Sequence, residues 1–125
     1  MKPITLIATA VSLVIISAIG AGLYLLGSPT DWRTYRIDQE RVSDLRQLSY
    51  AIQRYQRAND SLPLSLDAVD QDQYRDPETK APYEYERVDD TTFRVCGTFA
   101  ESSRINNEDN RWYHPAGRHC FKFPR

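Results

Sequence analysis

Between Lys2 and Asp31 the sequence carries no charge, and no acidic residue occurs anywhere in residues 1–30. Cysteine is scarce as well: Cys96 and Cys120 are the only two, beside two histidines, and they do not form the recognisable ligand pairs that structural zinc usually needs. Glycine numbers five, with no glycine-rich run. No P-loop, GxGxxG or HExxH pattern is present, which removes the common phosphate, dinucleotide and zinc-protease signatures. Nor is there a basic surplus. Lys and Arg total 16 against 17 Asp and Glu, for a net charge of −1, so nucleic acid is not expected as a partner.

The residues that could carry chemistry are correspondingly few. His114, His119 and Cys120 form an H-x4-H-C cluster, but its ligand count falls short of a zinc site, and an oxidised Cys120 could not serve. Asp70, Asp72, Asp76 and Glu78 are oxygen donors in one segment without the EF-hand spacing or its turn glycine, so a solvated acidic loop is the expectation. A Cys–His nucleophile lacks any local catalytic signature. The sequence therefore assigns no catalytic, cofactor-binding or metal-ligating residue, and an enzyme is not expected.

What is present begins with Ile4 to Leu26, 23 uncharged residues. As a helix this run measures about 34 Å, against about 30 Å of bilayer hydrocarbon, and so is long enough to span. A cleaved secretory signal is the competing reading, because Lys2 precedes the run and Ala18-Ile19-Gly20 resembles a small-x-small cleavage site. The run outlasts the about 7 to 15 apolar residues of a signal peptide, and an uncleaved anchor is expected. Thr5, Thr9, Ser12 and Gly20 fall near one helical face, and Ala18 and Gly22 form a small-xxx-small pair. These residues are candidates for helix association in the membrane, with copies of this chain or with other subunits.

Orientation draws opposite signals. Lys2 before the run and Arg33, Arg36 and Arg41 after it favour a cytoplasmic C-terminal part by the positive-inside rule. The pair Cys96 and Cys120, in a small domain behind a hydrophobic N-terminus, points to a disulfide and hence to an oxidising, exported compartment. Export is the expectation, with the C-terminal part periplasmic or extracellular.

Beyond the anchor, residues 1–27, helical periodicity resumes at about Asp31 and runs to about Ala58. Its apolar stripe is Ile37, Val42, Leu45, Leu48, Ile52 and Tyr55, with Arg36, Glu40, Arg41, Asp44, Arg46, Gln47, Arg54 and Arg57 on the other face. A stem helix over residues 28–60 follows, packed on what comes after. Leu62, Leu64 and Leu66 would close one end of the core, and Ser65 would cap a short helical turn. Tyr83–Val88 and Thr92–Phe99 read as strands joined through Asp89-Asp90-Thr91, and His119–Phe123 as a third. Residues 100–118 form a long polar loop in which Trp112 and Tyr113 make a candidate partner surface. Residues 61–125 are thus a small antiparallel β domain, with Cys96 able to meet Cys120 across the sheet. The fold class is α+β.

Leu62-Pro63-Leu64-Ser65-Leu66 and Asp76-Pro77-Glu78-Thr79-Lys80-Ala81-Pro82-Tyr83 follow the stem in that order. With the anchor and hairpin, over about residues 4 to 99, this resembles the type II secretion pseudopilins and, more loosely, type IV pilin-like proteins. In that family a Leu-Pro-x-x-Leu stretch ends the stem and Asp-Pro-x-x-x-x-Pro-Tyr opens the sheet. The chain departs from the family in lacking a recognisable prepilin peptidase site and the Glu at the fifth mature position, and its C-terminal calcium loop is not recognisable in residues 100–125. The resemblance implies a stem helix against a small antiparallel sheet on a signal anchor. Filament building does not follow from it; the function expected is a single-pass, pilin-like structural or accessory subunit of a membrane or secretion-type assembly. A membrane-tethered sensory or ligand-binding module is the alternative.

Overall fold

Pro3 suits the first position of a helix, where its fixed φ is already helical and its missing N–H would have had no partner. In the computed structural model, which describes residues 2–104 and 110–124, it opens helix α1, Pro3–Leu26, 24 residues of which none is buried. The Thr9 hydroxyl donates to the carbonyls of Thr5 and Leu6 at 3.1 and 2.9 Å, and Ser12 to that of Ala8 at 2.9 Å. Both hydroxyl donors are thereby used within the helix, and its length and composition are enough to cross a membrane. The helix stops at Gly27, whose φ of 78° lies in the left-handed region. The Trp32 indole N–H donates to the Leu26 carbonyl at 2.8 Å, occupying one of the acceptors that a helix end leaves open.

Helix α2, Pro29–Asn59, has 31 residues, and its buried face comprises Asp38, Arg41, Val42, Leu45, Leu48, Ser49, Ile52 and Gln56. The centre of the apolar stripe lies where periodicity puts it, with Ile37 and Tyr55 half-buried at its margins. Arg41, expected on the solvent face, is 5% exposed. It precedes Leu45 by one helical turn and Leu48 by two, and so shares their face. The chain divides into two compact units, Met1–Arg33 and Thr34–Arg125.

Within the second unit, β1 is Glu84–Arg87, β2 Phe93–Phe99 and β3 Gly117–Phe123, in one antiparallel sheet of order β1-β2-β3. The β1–β2 turn is held by the Asp89 carboxylate, which accepts from the Thr91 and Thr92 backbone N–H groups at 2.8 and 2.7 Å. Alternation along the strands sends Phe93, Val95, Phe99, Phe121 and Phe123 inward against Val42, Leu45, Leu48 and Ile52 of α2. Each such side chain contributes roughly 1.5–3 kcal/mol on leaving water. Gly97 faces Leu45, and a Cβ there would stand 3.0 Å from Leu45 Cδ1. The observed class is α+β, an apolar N-terminal helix and a small antiparallel sheet.

Three local expectations are corrected. Leu62 and Leu66 are buried, but Leu64 is 86% exposed. Pro63 takes the inner position because its carbonyl accepts the Tyr85 hydroxyl at 2.8 Å, which turns the next side chain outward. Ser65 precedes the 3-10 turn Leu66–Val69 without capping it, its hydroxyl bonding the Asp67 carboxylate at 3.1 Å instead. The third strand starts at Gly117, earlier than His119, because Thr98 and Phe99 extend β2 far enough to pair with Arg118 and Gly117. Part of the long polar stretch, residues 105–109, lies outside the described residues.

Candidate functional site

Arg41 spreads its guanidinium over three carboxylates. Nε donates to Asp76 Oδ2 at 2.6 Å, Nη1 to Asp38 Oδ1 at 2.9 Å and Nη2 to Glu78 Oε2 at 3.0 Å. The acids are themselves tied down: Asp38 accepts the Ala100 and Glu101 backbone N–H groups, and Asp76 those of Glu78 and Thr79. Asp76 thus belongs to the interior and not to a solvated acidic loop. The cluster fastens α2 to the Asp76-Pro77 turn on one side and to the end of β2 on the other. Burial would push the Asp76 carboxyl up, but the Arg41 guanidinium and the Thr79 and Glu78 N–H groups outweigh it and hold the pKa at about 2. Those hydrogen bonds, the one to Asp76 first, raise Arg41 above its ordinary value.

Beside this cluster runs an open groove of about 400 Å³, lined by Arg41, Glu78, Tyr83, Glu84, Gly97 and Thr98 among others. The Tyr83 hydroxyl donates to Asp44 at 3.1 Å. Burial, reinforced by Asp44, raises the Tyr83 pKa, and burial likewise raises that of Asp44 against the opposing hydrogen bond. With Arg41 already engaged by carboxylates, the groove offers no free cation for an anion. Glu78, whose side chain is 60% exposed, gives its rim an acidic character.

The outer face of the sheet carries the disulfide between Cys96 and Cys120, which are direct partners in the β2–β3 register with Cα atoms 4.0 Å apart. Glu84 is the partner of Cys96 on the β1 side. Arg118 reaches back to Glu84, Nη2 to Oε2 at 2.6 Å, and passes 3.7 Å from Cys96 Sγ. Hydrogen bonding from Arg118 lowers the Glu84 pKa. The disulfide is compatible with an oxidising compartment.

Trp112 and Tyr113, the candidate partner surface, are both half-buried. The Trp112 ring lies 4.8 Å from Phe121 and 5.7 Å from Phe123, and Arg46 sits over it at 5.4 Å. Next to them His114 is 1% exposed and stacked on Phe99 with ring centroids 3.7 Å apart. Its Nδ1 lies 3.2 Å from the Pro115 carbonyl, so that nitrogen carries the proton and donates. Nε2 is left buried without a hydrogen-bond partner. His119, half-buried, has its pKa lowered by burial and then by His114. Among the described residues no three His, Cys, Asp or Glu side chains converge to hold a metal.

On α1, Thr5, Thr9 and Ser12 line a shallow groove of about 440 Å³ with Ala8 and Leu13, while positions Gly20 and Gly22 have open space where a Cβ would stand. Ala18 is exposed on the same helix. Sequence reasoning located the Cys96–Cys120 disulfide. It missed the Arg41 cluster, for which charged residues at apolar-stripe spacing were the available signal. Compared with known proteins, the chain matches no family model, no curated protein and no solved structure.

Proposed function

We propose that this protein is a single-pass, membrane-anchored, pilin-like structural or accessory subunit of a membrane or secretion-type assembly, with its disulfide-bonded domain on the periplasmic or extracellular side. The observation that carries the reading is the order of parts: an apolar helix with no buried residue, then an amphipathic helix, then an antiparallel sheet packed on that second helix. The first helix supplies an anchor and, through the face of Thr5, Thr9, Ser12 and Gly20 and the small pair Ala18 and Gly22, sites for helix association. Trp112 and Tyr113 belong to the partner surface of the domain. The proposal assigns no catalysis, cofactor or nucleic acid.

The test is protease and thiol-labelling access to a C-terminal tag in cells with the inner membrane intact and after it is opened. Full-length chain accessible in intact cells supports an exported, anchored domain. Protection until the membrane is broken puts the domain in the cytosol and removes the proposal. The groove beside Arg41 favours a second reading, a membrane-tethered ligand-binding module. Cross-linking between α1 helices in membranes separates the two, since a subunit assembling through that helix cross-links without added ligand.

A further inference from the structure

Glu84, Cys96 and Cys120 form one row across the three strands, so the disulfide joins the central strand β2 to β3, the last strand of the sheet. The two sulfurs face different surroundings. Cys96 is 2% exposed, and its neighbour in the row on β1 is Glu84, bridged to Arg118. Cys120 stands on β3, the last strand of the sheet, and among the described residues no backbone hydrogen bond reaches β3 from outside the sheet. Cys120 is half-buried, more exposed than Cys96.

Thiol–disulfide exchange needs the incoming thiolate, the attacked sulfur and the leaving sulfur nearly in line, and it is fastest where the leaving thiolate is stabilised. We propose that the Cys96–Cys120 disulfide is a directional exchange site: a thiolate attacks Cys120 Sγ from the free edge of β3, and Cys96 leaves as a thiolate beside the Arg118 guanidinium. The S–S bond breaks, its electron pair goes to Cys96 Sγ, and a new S–S bond joins Cys120 to the attacking thiol. A second thiol then attacks the incoming sulfur and releases Cys120 as a thiolate, so that the thiol pair is oxidised to a disulfide and the protein disulfide is reduced. The co-reactant is a dithiol, or two small thiols. Arg118 acts as a positioning residue: its Nη2, 3.7 Å from Cys96 Sγ, lowers the cost of the thiolate there. The proposal goes beyond the subunit reading and stands whether or not that reading holds.

The experiment uses the full-length protein in detergent micelles, exposed to reduced glutathione without denaturant. The reaction is stopped with N-ethylmaleimide, and the adducts are mapped by peptide mass spectrometry. The expected product carries glutathione on Cys120 and maleimide on Cys96, favoured about tenfold over the reverse arrangement. In Arg118→Gln that preference falls towards unity and opening slows, while circular dichroism and the oxidised mass stay unchanged. Glutathione on Cys96 to an equal or greater extent overturns the proposal. So does a bond that opens only once denaturant unfolds the domain, or an Arg118→Gln protein whose adduct distribution matches the parent.

Discussion

Arg41 is held by carboxylates from its own helix and from the Asp76-Pro77 turn, at 6% side-chain exposure, so truncation strands Asp38 and Asp76 in a partly dry site. Arg41→Met is expected to cost about 3–5 kcal/mol, read as a lower urea midpoint with an unchanged slope. The same cluster sets a pH dependence. The Asp76 pKa is lowered from 3.8 to about 2, so the folded state binds its proton less readily than the unfolded chain. Its contribution, about 2 kcal/mol, is fully present above the unfolded value and is lost as pH falls through the folded one. His119 adds a separate, earlier window. Its pKa is depressed below 6.5, so protonation favours the unfolded chain and stability declines as pH falls below that value. Thermal midpoints measured from pH 8 to 2 should fall in both windows, with Asp76→Asn flattening the lower and His119→Gln the upper. Parallel curves for parent and Asp76→Asn below pH 4 would remove the Arg41–Asp76 account. The positions of Asp38 and Arg41 were readable, since they continue the Leu45, Leu48 and Ile52 spacing. Their burial was not, because periodicity weighs a charge as solvent-facing, and the partner that reverses this lies 35 residues downstream.

At the scale of elements, α2 and the sheet pack tightly where Gly97 faces Leu45, with room for a hydrogen but not for a methyl group at ordinary distance. Gly97→Val is expected to destabilise by about 1–3 kcal/mol through overpacking, whereas Thr98→Val, one residue along and facing out, should change little. Equal losses at both positions, measured by denaturant unfolding, would argue against a helix–sheet contact at Gly97. The strands were legible because aromatic and β-branched residues alternate with polar ones, and Asp89-Asp90-Thr91 marked the turn. The pairing of Cys96 with Cys120 was legible in outline, as two cysteines on strands of one small sheet. Its cover was not. Arg118 fell in a stretch without periodicity, and only the register, which sets Glu84, Cys96 and Cys120 in one row, explains why a sulfur on the outer face is shielded. Leu64 shows the opposite failure. Hydropathy draws it inward, but the Tyr85 bond to the Pro63 carbonyl decides the local direction of the chain.

For the whole molecule, the anchor proposal rests on a physical asymmetry between helices of similar length. α2 has an interior face and a core to cover it, whereas the 24 residues of α1 bury none of their side chains, so its apolar surface must find another medium. A bilayer meets that need along the full length and around every side, and it also accounts for the missing charges between Lys2 and Asp31. A charge at the centre of α1 is therefore the sharpest probe. Ile15→Arg should cost about 2.5–3.5 kcal/mol of insertion free energy, a hundredfold or so in partitioning. The variant should move from the carbonate-resistant membrane fraction towards the soluble one. The Cys96–Cys120 bond should be lost with it if export depends on the anchor, as shown by two thiols that react without prior reduction. Asp31→Arg, beyond the end of α1, serves as the control and should leave fractionation unchanged. If Ile15→Arg stays in the membrane fraction with its disulfide intact, α1 is not the element that holds the chain there. If the parent itself is released by carbonate, the helix rests on the surface or against a partner protein, and the reading of an integral subunit is withdrawn.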